Sequence, residues 1–322
     1  MSGQTHPERP MRPAPTTPVH DLSFTPGRTH LKARQRGADI TAVGQLLAHV
    51  PALLCSLGLV YAVTQPLPPT VRWAVLCSWS LAGSLVFFRP FERALARYVL
   101  VLGELSPGER ARLAPIWREV TARAGVDAAT YELWVEDSDE INAAAAAGHV
   151  VAVTRAALAR LSDAECAAVL AHELGHHTGG HAWSTLLGTW YAAPARLVWR
   201  LLRSAVPRVF RATARTSTLL TAALLVVLAW LAVFLLATVW WLILLLVLAP
   251  YAQAAVGRRA ELRADAHAAA LGFAPQLMAA LAKMEEEGDA SGTEVGRDLG
   301  VPARLLTTHP ETNLRLRRLA EF

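Results

Sequence analysis

Paired cysteines are missing from this chain. Its three, Cys55, Cys77 and Cys166, are an odd number without a repeated spacing, which argues against a disulfide framework. Each is read as a small packing residue. Acidic residues are missing from the apolar stretches, and no broken-helix signature interrupts them, which argues against a transporter. The net charge of +5 comes without a nucleic-acid motif. The basic residues gather instead beside the apolar stretches, as they do at a cytoplasmic membrane flank. An apolar core and a small-residue cleavage site are also missing near Met1, so the start is not read as a signal peptide. Residues 1–40 hold six prolines between Pro7 and Pro26, several arginines and little that is apolar. Such a segment buries too little surface to offset its ordering entropy and is expected to be a disordered tail.

What is abundant is apolar surface, 53% of all residues, concentrated in stretches 46–65, 71–88 and 217–251. Each is near or above the roughly 20 residues a helix needs to cross a bilayer. The uncharged "QPLPPT" (65–70) separates the first two as a hairpin spanning 46–88. Arg28, Lys32, Arg34 and Arg36 precede that hairpin and Arg89, Arg93 and Arg97 follow it, which places both of its ends in the cytoplasm.

Residues 91–182 read as the first part of a catalytic domain. "SPGERARLAPIWREVTARAG" (106–125) is a helix capped by Ser106, with Pro107 in its first turn and Gly125 at its end. "YELWVEDS" (131–138) and "HVVAVTR" (149–155) read as strands. The alanines at 143–147 favour helix by propensity, while their place between two strands favours an extended segment. "LSDAECAAVLAHELGHH" (161–177) opens on a capping box, Ser162 with Glu165, and continues as a helix. Residues 184–251 form a membrane-associated region, interrupted by Pro194 and Pro207 and carrying Arg196, Arg200 and Arg203. Residues 258–322 form the second part of the catalytic domain.

The helix at 161–177 carries His172, Glu173 and His176 in an HExxH pattern. Histidines four apart share a helix face, so two neutral imidazoles reach one ion while the adjacent carboxylate takes a proton from its water. A third ligand is needed. The spacing HExxHxxGxxH fails, because position 182 is Ala and His181 is one residue short. His177 points about 100° from His176 and reads as an ordinary polar residue, as does His181. A distant carboxylate is the other source. "ELRAD" places Glu261 and Asp265 one turn apart, Glu261 to complete His/His/Glu and Asp265 to orient a ligand histidine. The alternative is a surface carboxylate pair bridged to Arg258 or Arg263.

Taken together, Asn142-Ala143, "VTRAAL" leading into "AHELGHH", "ELRAD", and the terminal "THP" followed by Arg315 resemble the HtpX-like integral-membrane zinc metallopeptidases, whose relatives include the CAAX prenyl protease. The resemblance runs from about residue 90 to 320. It implies a predominantly α-helical membrane protein of about four transmembrane helices, with a cytoplasmic α+β zincin-like (gluzincin) catalytic domain. It also implies one Zn2+ per chain on His172, His176 and Glu261, and Glu173 as catalytic base. Substrate strands would pair beside Asn142 and Ala143, and His309 and Arg315 would act near the metal; the alternative is "HP" as a helix-starting turn and Arg315 as a salt-bridge partner. The plain alanines after Asn142 depart from the family pattern, where a bulky residue is common.

For Glu261 and His172 to share one ion, the chain between them must cross the membrane an even number of times. Two arrangements satisfy this and both stay open: a hairpin within 217–251, which fits its two basic flanks but lacks a Gly/Pro turn, or a helix at 184–206, bearing Arg196 and Arg200, paired with one at 217–249. The expected activity is endoproteolysis of protein substrates, including membrane proteins, at the cytoplasmic face of the plasma membrane, with quality control as a role. Prenyl-protein processing fits less well, because there are too few spans for a large enclosed chamber. Two rival readings are a signal transducer that cleaves a cytoplasmic repressor and a catalytically inactive membrane scaffold.

Overall fold

The computed structural model describes residues 39–290 and 310–322. The expected tail before Asp39 and the candidate His309 lie outside the described residues. The chain opens with α1 (Ile40–Val63) and α2 (Pro69–Ala82), the latter continued by a 3-10 turn at Gly83–Phe87. Two short helical segments lead into the soluble part, α3 (Arg89–Tyr98) and α4 (Pro107–Ala124). Strands β1 (Glu132–Glu136), β2 (Ala143–Ala145) and β3 (Val150–Thr154) follow, then α5 (Arg155–Arg160) and α6 (Asp163–Thr178). Two long helices, α7 (His181–Thr216) and α8 (Thr218–Ala270), precede α9 (Ala274–Ala290) and the terminal α10 (Thr312–Leu319).

Local chemistry accounts for most of these boundaries. α4 starts on a capping box between Ser106 and Glu109 and stops at Gly125, whose φ of 65° suits only a residue without a Cβ. α6 starts on the same device, Ser162 with Glu165. The three-stranded sheet has the order β1-β3-β2, with β1 parallel and β2 antiparallel to β3. β3 is buried along its whole length, as an unbroken apolar run between two neighbours should be. The alanine run resolves as strand at 143–145: five alanines are too few to nucleate a helix alone, whereas β3 offers a ladder of hydrogen bonds.

α6 is the centre of the soluble part. Its residues Cys166 to Leu174 are all buried, among Leu113, Ile116 and Val120 of α4 and Phe273, Leu277 and Leu281 near and along α9. Against α8 it packs through Gly175. A Cβ there would stand 3.0 Å from Ala264 Cα and 3.2 Å from His267 Cβ, so the two backbones approach too closely for a larger residue. Gly175→Val should therefore separate the two helices, costing about 1–3 kcal/mol. A thermal-unfolding midpoint equal to that of the wild type would refute this reading of the contact.

Among the described residues, three helices are long and apolar enough to cross a membrane: Ile40–Val63, Pro69–Phe87 and Thr218–Ala270. No residue in the apolar window of α8 is buried, which leaves an apolar area that water does not tolerate and lipid does. α7, more polar, runs beside α1 in the same direction: the amide of Ala195 donates to Ser56 Oγ (3.2 Å), and Gly188 lies against the His49 ring. α8 returns antiparallel, with Gln253 Nε2 donating to Ala48 O (3.2 Å) and Arg263 meeting Asp39 (2.5 Å). Pro194 and Pro207, read from the sequence as interruptions, lie inside the continuous α7. Neighbouring helices can take up amides near a proline, as Ser56 does beside Pro194. α8 departs from helical dihedrals at Val239.

Candidate active site

The site is assembled from three elements. α6 presents His172, Glu173 and His176; α8, after its long excursion, brings back Glu261 and Asp265; and β2 lies along the edge of the sheet beside them. Asp39 fastens this meeting point. It caps α1, donates its own amide to Gly179 O at the end of α6 (3.1 Å), and pairs with Arg263 of α8.

The four groups His172, Glu173, His176 and Glu261 are only 6 to 9% exposed. His172 Nε2 stands 3.6 Å from Glu261 Oε2, and His176 Nε2 stands 3.3 Å from Glu261 Oε1. One ligand atom from each of the three residues lies within 4.8 Å of the others. Tetrahedral zinc, with bonds of about 2.0–2.1 Å, separates its ligand atoms by about 3.4 Å. The two separations, one to each oxygen of Glu261, lie near that spacing, and the donor set of two imidazoles and a carboxylate suits zinc. The residues therefore fit the ion.

Behind the triad runs a chain of charge. His172 Nδ1 lies 2.9 Å from Asp265 Oδ1, and Asp265 is held in a two-pronged contact by Arg315, Nε to Oδ2 at 2.8 Å and Nη2 to Oδ1 at 2.6 Å. Burial lowers the His172 pKa, but Asp265 and Glu261 overcome it and raise it to about 9. Glu261 and Asp265 are thus buried and turned inward, while Arg263 of the surface-pair alternative points to Asp39. Arg315 is brought to the site, its Nη1 3.7 Å from Glu261 Oε2.

Glu173 accepts a hydrogen bond through Oε2 from the Ala145 amide (2.7 Å). That amide lies on the free edge of the sheet. Asn142 and Ala146 bond inward to β3, so by strand alternation Ala143 and Ala145 face outward. The Ala143 amide is taken by the side chain of Asn142 (2.9 Å), whose backbone is fixed on Thr154 Oγ1. Asn142 and Ala143 therefore stand beside α6 at a strand edge that is unpaired among the described residues.

Two histidines read as ordinary polar residues are otherwise. His177 is 8% exposed, with its ring nitrogens 3.1 Å from Gly148 O and Val150 O. Burial pushes its pKa down, against the two carbonyls, which raise it. The ring ties α6 to β3. His181 packs its ring 5.5 Å from that of His176 and faces the same cavity. The signal available in sequence was the density of histidine in "AHELGHHTGGH"; their partners lie on other elements.

A helix bearing HExxH, a carboxylate supplied by a second helix and an open sheet edge together define the metallopeptidase class. A family model described as Peptidase family M48 matches residues 107–322, and the chain belongs to that family. It is similar to the crystal structure of S. mikatae Ste24p, with 17% identity and a TM-score of 0.42 over 84% of this chain and 61% of that one. The chain thus spans about three-fifths of that protein's length. No curated protein matches it.

Proposed function

We propose that this chain is a membrane-embedded, zinc-dependent endopeptidase that hydrolyses peptide bonds in membrane proteins, with its active site on the cytoplasmic face. The observation that carries this reading is the convergence of His172, His176 and Glu261 beside Glu173 and a free strand edge, in one cavity of about 760 Å³.

His172, His176 and Glu261 would hold the ion, and Asp265, itself fixed by Arg315, would orient His172. Zinc held there supplies Lewis acidity, lowering the pKa of a water and polarising the scissile carbonyl. A substrate strand adds to the outer edge of β2 at Asn142 and Ala143, which aligns its backbone across the cavity. Glu173 takes a proton from the attacking water on its carboxylate and delivers it to the leaving amine nitrogen. Arg315 lines the same cavity beside Glu261, and its positive charge, although paired with Asp265, would favour negative charge developing on the carbonyl oxygen.

Four spans in two hairpins, α1 with α2 and α7 with α8, fit the helix directions. α7 leaves the catalytic domain alongside α1 and α8 returns to it, so Glu261 rejoins His172 on one side. From His181 to Arg208 is about 40 Å of helix, more than the ~30 Å of hydrocarbon, so Arg208, Arg211 and Arg215 clear the far boundary. Arg196 and Arg200 are exposed on the helix surface, free to snorkel. The arginines after the first hairpin favour the cytoplasm for the catalytic side. Quality control of membrane proteins is the role we favour, at the plasma membrane.

The test is metal analysis and casein cleavage on detergent-purified protein. One zinc per chain, with cleavage lost on chelation and restored by zinc, is the expected result. Stable folded protein that binds no divalent metal would overturn the reading, and zinc-loaded protein that cleaves nothing would favour the inactive scaffold.

A further inference from the structure

One histidine at the site has no role in the mechanism above. His181 lines the cavity beside His176, their ring centroids 5.5 Å apart. It belongs neither to the metal-ligating group of His172, His176 and Glu261 nor to the chain of Asp265 and Arg315 behind it. Five residues after His176 on one continuous helix, it would face about 140° away. The chain does not continue that way. α6 ends at Thr178, and Gly180 takes a φ of 78°, a left-handed conformation that suits a residue without a Cβ, before α7 begins at His181. That break turns the first side chain of α7 back toward His176.

Its two ring nitrogens differ. Nδ1 is closed off and has no hydrogen-bond partner among the described residues, whereas Nε2, also without a partner among them, is left open in the cavity wall. A proton on Nδ1 would orphan a buried N–H, which is rarer than an unpaired acceptor, so the proton belongs on Nε2. The ring thus offers the cavity one free donor. Other polar side chains there are already engaged: Asn142 holds the Ala143 amide, Gln253 donates to Ala48 O, and Arg315 grips Asp265.

We propose that His181 is a catalytic residue whose Nε2–H donates to the scissile carbonyl oxygen as that oxygen gains negative charge. This inference rests on the peptidase reading above and deepens it. Attack of water moves the C=O electron pair onto oxygen, and the pair returns when the C–N bond breaks. Throughout, the His181 proton stays on its ring, and the proton that Glu173 takes goes to the leaving amine. A donor held in place before the reaction costs no reorganisation, and it binds the charged oxygen more strongly than the neutral carbonyl. Arg315 reaches the site from the His172 side, through Asp265, and His181 from the His176 side.

The experiment uses zinc-loaded full-length protein in detergent, a peptide cut from casein as substrate, and variants at one position. His181→Phe keeps a ring against His176 and removes the donor; His181→Leu removes it in a smaller side chain; His181→Gln keeps an N–H. The first two should hold one zinc per chain and lose about 10²-fold in kcat, the effect of one oxyanion donor, with KM within about twofold. His181→Gln should exceed both in kcat by about tenfold. As a reading independent of turnover, the affinity of a phosphinic peptide, tetrahedral at phosphorus, should fall with kcat in the Phe and Leu variants. The Kd of the intact peptide, measured with Glu173→Gln in both backgrounds, should not move. Wild-type kcat in the Phe or Leu variant, equal losses of affinity for the two ligands, or loss of zinc overturns the role of His181. Zinc-loaded wild type that cleaves nothing overturns the peptidase reading itself.

Discussion

Glu173→Gln is expected to keep its zinc and to lose peptide cleavage by about 10²–10⁴-fold in kcat, the range supplied by a positioned acid–base group. The substitution is nearly isosteric, and the amide oxygen can still accept from the Ala145 N–H that now bonds Glu173 Oε2. The side chain therefore has reason to stay in place. What it loses is basicity. Burial pushes the Glu173 carboxyl above the usual carboxylate range, against the pull of His172 and His176, which suits a group that accepts a proton and later returns it. The measurement is steady-state cleavage with zinc analysis on the same preparation. Cleavage within tenfold of wild type would move the proton transfer to another group, and loss of zinc would mean that Glu173 is structural.

On the proposed reading, the position of Glu173 would link substrate binding to catalysis. Its carboxylate rests on the outward amide of Ala145, and the neighbouring outward amide of Ala143 is covered by Asn142. A strand adding to this edge meets a row of donors already in use. It must displace Asn142 from Ala143, a neutral side-chain bond that is easily exchanged, while the Ala145 bond can remain on the base. Small alanine side chains leave room for that exchange, so the departure from the bulky family pattern widens the approach.

The parts of this molecule that were legible in sequence are those whose physics is local. Ser106 with Pro107, and the capping box of Ser162 with Glu165, mark the starts of α4 and α6, and the four-residue spacing of His172 and His176 follows from the helical repeat. Glu261 and Asp265, one turn apart, are brought to His172 as the "ELRAD" reading expected. What depended on distant partners was not legible. His177 looks like any polar helix residue until β3 supplies its carbonyls. Gln45 is one glutamine in an apolar stretch until α7 and α8 close around it. The prolines of α7 looked like interruptions because the sequence does not show Ser56 beside Ala195. The closeness of α6 and α8 is hidden in a single glycine, Gly175.

Removing the third ligand should have the largest effect on the metal. Glu261→Gln replaces an anionic oxygen with a neutral amide and leaves two imidazoles, so zinc should be lost from purified protein on mild chelation that leaves wild type loaded. Among the described residues, Glu261 is the carboxylate that faces both imidazoles, at 3.6 and 3.3 Å, whereas Asp265 is engaged with Arg315 behind His172. The same carboxylate sets the pH dependence. Without metal, Asp265 and Glu261 hold the His172 proton up to about pH 9 despite burial, so zinc must displace a proton at any lower pH. Wild-type affinity should rise about tenfold per pH unit from that proton and level off above pH 9. In Glu261→Gln one of the three carboxylates that raise the His172 pKa (Asp265, Glu261 and Glu173) is gone, so the residual affinity should level off at lower pH. Competition titrations against a chelator of known affinity across pH 6–10 measure both quantities. Wild-type-like zinc affinity in the variant would place the third ligand elsewhere and remove the reason for α8 to return to α6.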